Sequence, residues 1–299
     1  MKLRQSHIII LSLCAGALLG VGALVLNRAP SVIEEVQEVQ IVDKKENIES
    51  KKNIGTSVEG RVIEAYIFGQ GTHHLIFVGG MHGGYEWNSV LLAYQFIDYF
   101  RANPNSIPEN VSVAVIPSLN PDGVYRVLGK EGRFTAGEAL AQESTNGVGR
   151  FNAHNVDLNR NFDCKWKPKS TWKGQVVSAG TKAFSEPEAV AMRDFVSEYK
   201  PEGVVFWHSK ANAVYASECE QGILPETLDI MNLYSRASGY GAVTSFDAYE
   251  ISGDAEGWLA SIYIPAITVE LKTHETVEWE QNLAGVKSLL NFYSQKTSL

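Results

Sequence analysis

The sequence is poor in cysteine, in positive charge and in repetition. Three cysteines in 299 residues are too few for a disulfide scaffold or a cysteine-rich zinc module. Lys and Arg total 26 against 34 Asp and Glu, a formal net charge of -8. An acidic chain without a basic tract is a poor nucleic-acid binder, because phosphate neutralisation supplies most of that affinity. The balance suits a neutral or cationic ligand better. No internal repeat is present. A composition of 44% hydrophobic and 20% charged residues fits neither a disordered chain nor a multi-span membrane protein.

What is present is unevenly placed. Lys2 and Arg4 precede an apolar run over residues 8–26. At about 1.5 Å per residue, that run is just long enough to cross roughly 30 Å of hydrocarbon. Basic residues ahead of it favour a cytoplasmic N-terminus with the rest of the chain outside. Residues 1–28 are therefore expected to be a signal anchor, or a signal peptide cleaved near Ala29-Pro30-Ser31. The run is long for a signal peptide, so the anchor is preferred: an extracytoplasmic, membrane-anchored protein, secreted if the segment is cleaved. Residues 29–53 are charged and read as a stalk or linker, too short and polar for an inhibitory pro-domain. Residues 54–299 are expected to form one domain.

Inside that domain, apolar runs of strand length at 61–68, 75–78, 111–116, 203–207 and 266–271 alternate with helical patterns. Trp87, Leu91, Tyr94 and Ile97 mark one helix face. Ser185 and Glu188 have the spacing of a capping box for a helix running to about Tyr199. Residues 225–238 and 277–293 read as two more helices. Strands interleaved with helices predict an α/β fold with a mixed, mostly parallel central sheet flanked by helices.

Polar groups gather where strands end. Gly79-Gly80-Met81-His82-Gly83-Gly84-Tyr85-Glu86 follows the second run, and His208 follows the fourth. Two imidazoles and one carboxylate leave an open position on zinc, the arrangement of a catalytic site. Glu270 closes the last strand, where a carboxylate must be paired, solvated or functional; Lys272 is its candidate structural partner. Asn120-Pro121-Asp122-Gly123 reads as a turn. Residues 155–162 hold Asn155, Asp157, Asn159, Arg160 and Asn161, a density of fixed polar groups that suits a carboxylate-binding site. Arg160 can clamp a carboxylate bidentately.

Taken together, these residues resemble the zinc metallocarboxypeptidase family of the carboxypeptidase A/B type, from about residue 54 to the C-terminal helix. The resemblance implies one Zn2+ held by His82, Glu86 and His208. It implies Glu270 as catalytic glutamate and Arg150 as the carbonyl-polarising arginine, with Arg126 and Arg133 as alternatives. Asn159 and Arg160 match the pair that holds a substrate's terminal carboxylate, and Tyr249 matches the tyrosine that closes over it. Glu256, seven residues after Tyr249, falls where the family lines the floor of its side-chain pocket, with Asp254 nearby. The implied activity is hydrolysis of the last peptide bond of a peptide with a free C-terminal carboxylate, with preference for a basic or diamino-acid end. One departure is the spacing of His82 and Glu86, which has one residue more than the family's His-x-x-Glu. Rival readings are a peptidoglycan stem-peptide amidase or N-acyl amino acid deacylase on the same fold, and a non-catalytic, membrane-tethered peptide-binding module. Cys164 and Cys219 can pair in an oxidising compartment or remain unrelated thiols. His73, His74, His154 and His274 read as ordinary polar residues.

Overall fold

Successive side chains of a strand point to opposite faces, and the central strands of this protein are apolar on both. The computed structural model describes residues 49–142, 147–246 and 250–296. Residues 1–28, most of the expected stalk and Tyr249 lie outside the described residues. Among the described residues no helix is long and apolar enough to cross a membrane.

In chain order the strands are β1 (Glu49–Thr56), β2 (Val62–Phe68), β3 (His73–Val78), β4 (Val111–Ile116), β5 (Lys169–Trp172), β6 (Gln175–Ser178), β7 (Gly203–Ser209), β8 (Ala213–Ala216), β9 (Glu218–Cys219), β10 (Gly222–Ile223), β11 (Gly241–Val243) and β12 (Ala266–Leu271). The helices are α1 (Trp87–Ala102), α2 (Pro121–Leu128), α3 (Ala136–Leu140), α4 (Pro187–Tyr199), α5 (Pro225–Ser238), α6 (Ala255–Ser261) and α7 (Trp279–Ser294). Eight strands form one sheet in the order β1-β2-β4-β3-β7-β12-β8-β11. Its centre, β4-β3-β7-β12, is parallel. The β1-β2, β2-β4 and β12-β8 pairs are antiparallel. The expected mixed, mostly parallel sheet is thus present.

The alternation sorts the core into two layers. Leu75 and Phe77, Val205 and Trp207, and Ile267 and Val269 pack on one face with residues of α1, α5 and α7. Their neighbours Ile76, Val78, Val204, Phe206 and Ala266 pack on the other with residues of α4 and α6. Each large side chain buried this way contributes about 1.5–3 kcal/mol. With both faces covered, the free place for a ligand is the crevice beyond the carboxyl ends of the parallel strands. His82, His208 and Glu270 all lie there, past or at the ends of β3, β7 and β12.

Three local expectations need correction. Residues 49–53, expected in the stalk, are the first part of β1, whose register with β2 begins at Glu49 opposite Phe68. Charge did not prevent a strand because β1 is an edge, where charged side chains are tolerated; Lys51 pairs with Glu64 at 2.6 Å and Glu49 with Arg101 at 2.6 Å. The Asn120-Pro121 turn opens α2: Asn120 Oδ1 accepts the Gly123 N–H at 2.8 Å, and proline suits the first helical position. The capping box at α4 does not form. Ser185 Oγ donates to Glu186 Oε1, and Glu188 accepts from Val58 N and Asn152 Nδ2. Pro187 needs no N–H partner, so the helix starts without the box.

Candidate active site

The parallel strands deliver their side chains to one cavity of about 580 Å³, a size usual for small-ligand sites. His82, Glu86 and His208 meet on its floor. All three are buried, and one ligand atom from each lies within 4.8 Å of the other two. The extra residue between His82 and Glu86 is absorbed by a 3-10 turn, Gly83–Glu86, ahead of α1. Gly83 makes that turn possible. Its φ is +47°, and a Cβ there would stand 2.6 Å from Gly149 O, so only glycine fits without strain.

His208 Nδ1 is 3.1 Å from Glu86 Oε2, which places that nitrogen on the side of the trio; Nε2 faces Glu256 Oε1 at 3.3 Å. His82 Nδ1 is 3.7 Å from Asp157 Oδ1. Burial, with Arg150 adding to it, holds His82 well below the usual histidine range, so the ring is neutral, the form that ligates. Burial opposes a charge on His208, but hydrogen bonds to Glu256 and Glu86 raise it to about 10. The same carboxylates draw in a metal cation, which would displace that proton.

Whether a cation fits can be judged from unspent lone pairs. His82 Nδ1 and Glu270 Oε2 are buried and make no hydrogen bond among the described residues. Orphaned buried polar atoms are costly, and two beside a trio of nitrogen and oxygen donors match what Zn2+ takes. Glu270 lies opposite His208 in the β12-β7 register. Burial first, then Glu86 and Glu256, push its carboxyl up to about 7, while His208 and Arg150 pull it back. A carboxylate poised near neutrality suits proton transfer. It takes no ion pair with Lys272 among the described residues.

Arg150 is buried on the cavity wall. Its guanidinium meets Asp157 Oδ2 from Nε at 3.2 Å and Nη2 at 3.0 Å, and stacks 4.6 Å from the Trp172 ring. The alternatives fall away: Arg133 pairs with Asp98 on the surface at 2.7 Å, and Arg126 is exposed beside a second, smaller pocket. Asn159 and Arg160 sit on a short 3-10 turn, Leu158–Arg160, capped by Asp157 Oδ1. Asn159 Oδ1 accepts from Ala255 N at 2.9 Å, which leaves its amide nitrogen for a ligand. Arg160 Nε is buried with no hydrogen-bond partner among the described residues. Gly253 lets the chain cross here: its φ is +70°, and a Cβ would stand 2.2 Å from Arg160 O. Glu256, in the first turn of α6, is buried on the same wall and accepts from Thr268 Oγ1 at 2.9 Å. Asp254 caps α6 through Gly257 N at 2.7 Å. Burial and the nearby Glu256 raise it to about 6.

Sequence reasoning passed over Asp157 as a hub. It touches the Arg150 guanidinium and the Asn159 N–H, and stands near His82; its signal was its place two residues before Asn159. Tyr85, Trp172, Lys173, Ser209, Lys210 and His274 also line the cavity. Tyr85 and Ser209 were findable as neighbours of Glu86 and His208; His274, read as ordinary, was not. Tyr249 lies outside the described residues. Cys164 and Cys219 form a disulfide with Cα atoms 6.1 Å apart, inside the usual bonding range.

Comparison with known proteins agrees with this geometry. The zinc carboxypeptidase family model matches residues 37–283, so the chain belongs to the zinc carboxypeptidase family. Gamma-D-glutamyl-L-diamino acid endopeptidase 1 of Lysinibacillus sphaericus is 27% identical over 241 residues, covering 73% of this chain and 59% of that protein. The thrombin activatable fibrinolysis inhibitor structure superposes with a TM-score of 0.66 at 17% identity, covering 84% of this chain and 70% of that one. A murein-tripeptide amidase from Escherichia coli O157 gives 0.55 at 22% identity, covering 83% and 93%. These structural likenesses speak to the fold.

Proposed function

We propose that this protein is a zinc-dependent metallocarboxypeptidase that removes a basic or diamino-acid residue from the C-terminal end of its substrate. The observation that carries the reading is the acidic pair of half-buried Asp254 and buried Glu256, which lines, with Asn159 and Arg160, the cavity that holds the His82–Glu86–His208 trio. Bound there, Zn2+ supplies a Lewis acid and lowers the pKa of a water toward about 7. Arg160 and Asn159 take the substrate's terminal carboxylate, which restricts cleavage to the last residue. Glu256 and Asp254 take the ammonium of its side chain. Arg150 stands by to donate to the oxygen that gains charge at the scissile carbonyl. Glu270 accepts the proton of the attacking water and passes it to the leaving amine. Tyr249 is assigned to cover the bound residue. Asp157 holds Arg150 and the Asn159 turn in place for these contacts.

A diamino-acid end is the favoured choice within this class, because the Lysinibacillus relative is named for a bond to an L-diamino acid and such a residue carries the amine that Glu256 needs. The same relative supports a second reading, an amidase of peptidoglycan stem peptides. We place the domain outside the cytoplasm, held at the membrane by residues 8–26; the Cys164–Cys219 disulfide supports an oxidising compartment. The test is zinc quantitation together with residue release from otherwise identical peptides ending in Lys, Arg, diaminopimelate or Phe. One zinc per chain and fastest release of the cationic residues is expected. Faster release of Phe would overturn the specificity, and hydrolysis without metal would overturn the mechanism.

A further inference from the structure

The groups that carry the chemistry and the groups that enclose the substrate are held by different means. His208 and Glu270 sit on β7 and β12 inside the central sheet, and His82 and Glu86 follow β3, which pairs with β7. The enclosing walls come from loops and element ends. One wall runs from Asn159 to Lys165 and includes Cys164; a second runs from Tyr215 to Glu218, as the chain leaves β8; a third lies within residues 250–256. The first and third are hydrogen-bonded together. Phe162 N donates to Gly253 O at 2.8 Å, Gly253 N to Cys164 O at 2.7 Å and Ala255 N to Asn159 Oδ1 at 2.9 Å.

The second wall has weaker support. β8 pairs with β12 only as far as Ala216 opposite Ile267, and Ser217 N donates to Ala266 O at 3.2 Å. Beyond that the chain leaves the sheet for the β9-β10 hairpin, whose ladder is short: Cys219 faces Gly222, and Glu218 faces Ile223. Ser245 Oγ donates to Glu218 Oε1 at 3.1 Å, an exposed bond that water can replace. Among the described residues no hydrogen bond joins residues 160–166 to residues 216–219. The covalent link between them is the Cys164–Cys219 disulfide. Both cysteines are buried in the core layer that includes Ala255 and Trp258 of α6. Apolar packing is non-directional and lets segments slide, whereas a disulfide holds its two Cα atoms at a fixed spacing, here 6.1 Å. Cys164 also lines the cavity, so a small thiol can approach the bond from there.

We propose that the Cys164–Cys219 disulfide is a redox-sensitive clamp on substrate binding: closed, it holds the Asn159–Lys165 and Tyr215–Glu218 walls around the substrate's terminal residue, and reduced, it lets the second wall move away while the metal site and Glu270 keep their places. The proposal rests on the function stated above and adds its regulation. Reduction runs by thiol–disulfide exchange. A thiolate of a dithiol attacks one sulfur, the bond between the cysteines breaks and the dithiol closes into its own disulfide; its two electrons and two protons pass to Cys164 and Cys219. A disulfide-bearing oxidant reverses the step. Loss of one wall weakens binding of the terminal residue, so KM rises. The reacting groups stay on the sheet, so kcat holds. A chain with free thiols binds its substrate poorly until it is oxidised.

The test compares three zinc-loaded forms on a peptide ending in lysine: oxidised wild type, wild type reduced with a dithiol and desalted without oxygen, and Cys164→Ser/Cys219→Ser. Reduced wild type and the variant should show KM raised about tenfold or more, within the roughly hundredfold cost of a 1 Å misplacement. Their kcat should stay within about threefold, with zinc still bound. Oxidised glutathione should restore KM in the reduced wild type and leave the variant unchanged. Equal KM in all three forms overturns the clamp. So does a parallel loss of kcat and zinc, which would make the bond a brace for the whole fold. Hydrogen–deuterium exchange reads the clamp without turnover: reduction should speed exchange over residues 215–219 about tenfold or more and leave β7 and β12 unchanged. Unchanged exchange over residues 215–219 also overturns the clamp. If the oxidised protein cleaves no peptide with a cationic end, the carboxypeptidase reading falls, and the exchange measurement alone decides whether the wall is clamped.

Discussion

Replacing Glu256 with glutamine separates two roles that the structure gives this side chain. It faces the cavity beside Asp254, and its Oε1 stands 3.3 Å from His208 Nε2 and 2.9 Å from Thr268 Oγ1. Burial alone would push its carboxyl up, but His208 more than reverses that and holds it lowered, so the side chain is charged at neutral pH. Glutamine keeps the size and can keep the Thr268 bond. What it loses is the charge. Two unit charges about 4 Å apart in an effective dielectric of about 20 attract by about 4 kcal/mol. After desolvation, a charge-assisted hydrogen bond nets about 1.5–3 kcal/mol. Glu256→Gln should therefore lower kcat/KM for a lysine-terminated peptide about 10- to 150-fold. A phenylalanine-terminated peptide of the same sequence should change by less than about threefold, since it never used the charge. Removing Glu256 also relieves Asp254, which it helps hold at about 6. Asp254 then ionises more fully and restores part of the negative charge, so Asp254→Asn/Glu256→Gln should show the larger loss. Steady-state kinetics on the two peptides decide the matter. An equal fall on both would mean that Glu256 only orients His208, and the specificity argument would be wrong.

Three further outcomes are expected. The acid limb of kcat/KM should report Glu270: a general base must be ionised, so activity falls as pH drops through its pKa. A cation on the trio stabilises the ionised form, which places the limb below the value of about 7 set by burial, Glu86 and Glu256; an unchanged limb in Glu270→Gln would refute the assignment. Chelation should abolish hydrolysis and lower the melting temperature, and added Zn2+ should restore both; H208A should bind no zinc, and activity retained after chelation would sink the metal reading. Reducing Cys164–Cys219, which are 55 residues apart, should cost about 4 kcal/mol in the chain-entropy model. Urea unfolding with and without reductant measures this, and coincident curves would show that the loop is held by packing alone.

Much of the fold was legible because periodicity reports burial. The runs at 75–78, 203–207 and 266–271 became β3, β7 and β12, since a strand buried on both faces must be apolar throughout. Strands β8 and β11 went unread: they have four and three residues, too few for a pattern to rise above chance. The N-terminal edge is hidden in the sequence because dense charge marks linkers and edge strands alike: an edge strand such as β1 tolerates charge on its open side. Tyr249 and the apolar run at 8–26 lie outside the described residues.

The sequence alone determined the kinds of chemistry available: two imidazoles, carboxylates and arginines placed after apolar runs, with glycines where the chain must turn sharply. Local composition can carry that much, because turn formation and strand length depend on near neighbours. Only the tertiary structure decided which of these groups meet. Parallel pairing of β3, β7 and β12 aligns His82, His208 and Glu270, residues far apart along the chain, at one end of the sheet. It also decided that Arg150 rather than Arg133 enters the cavity, and that His274 lines it. The direction of a hydrogen bond depends on every partner in its chain. Asn88, Ser209 and His274 become such a chain only when α1, β7 and the turn after β12 are packed together.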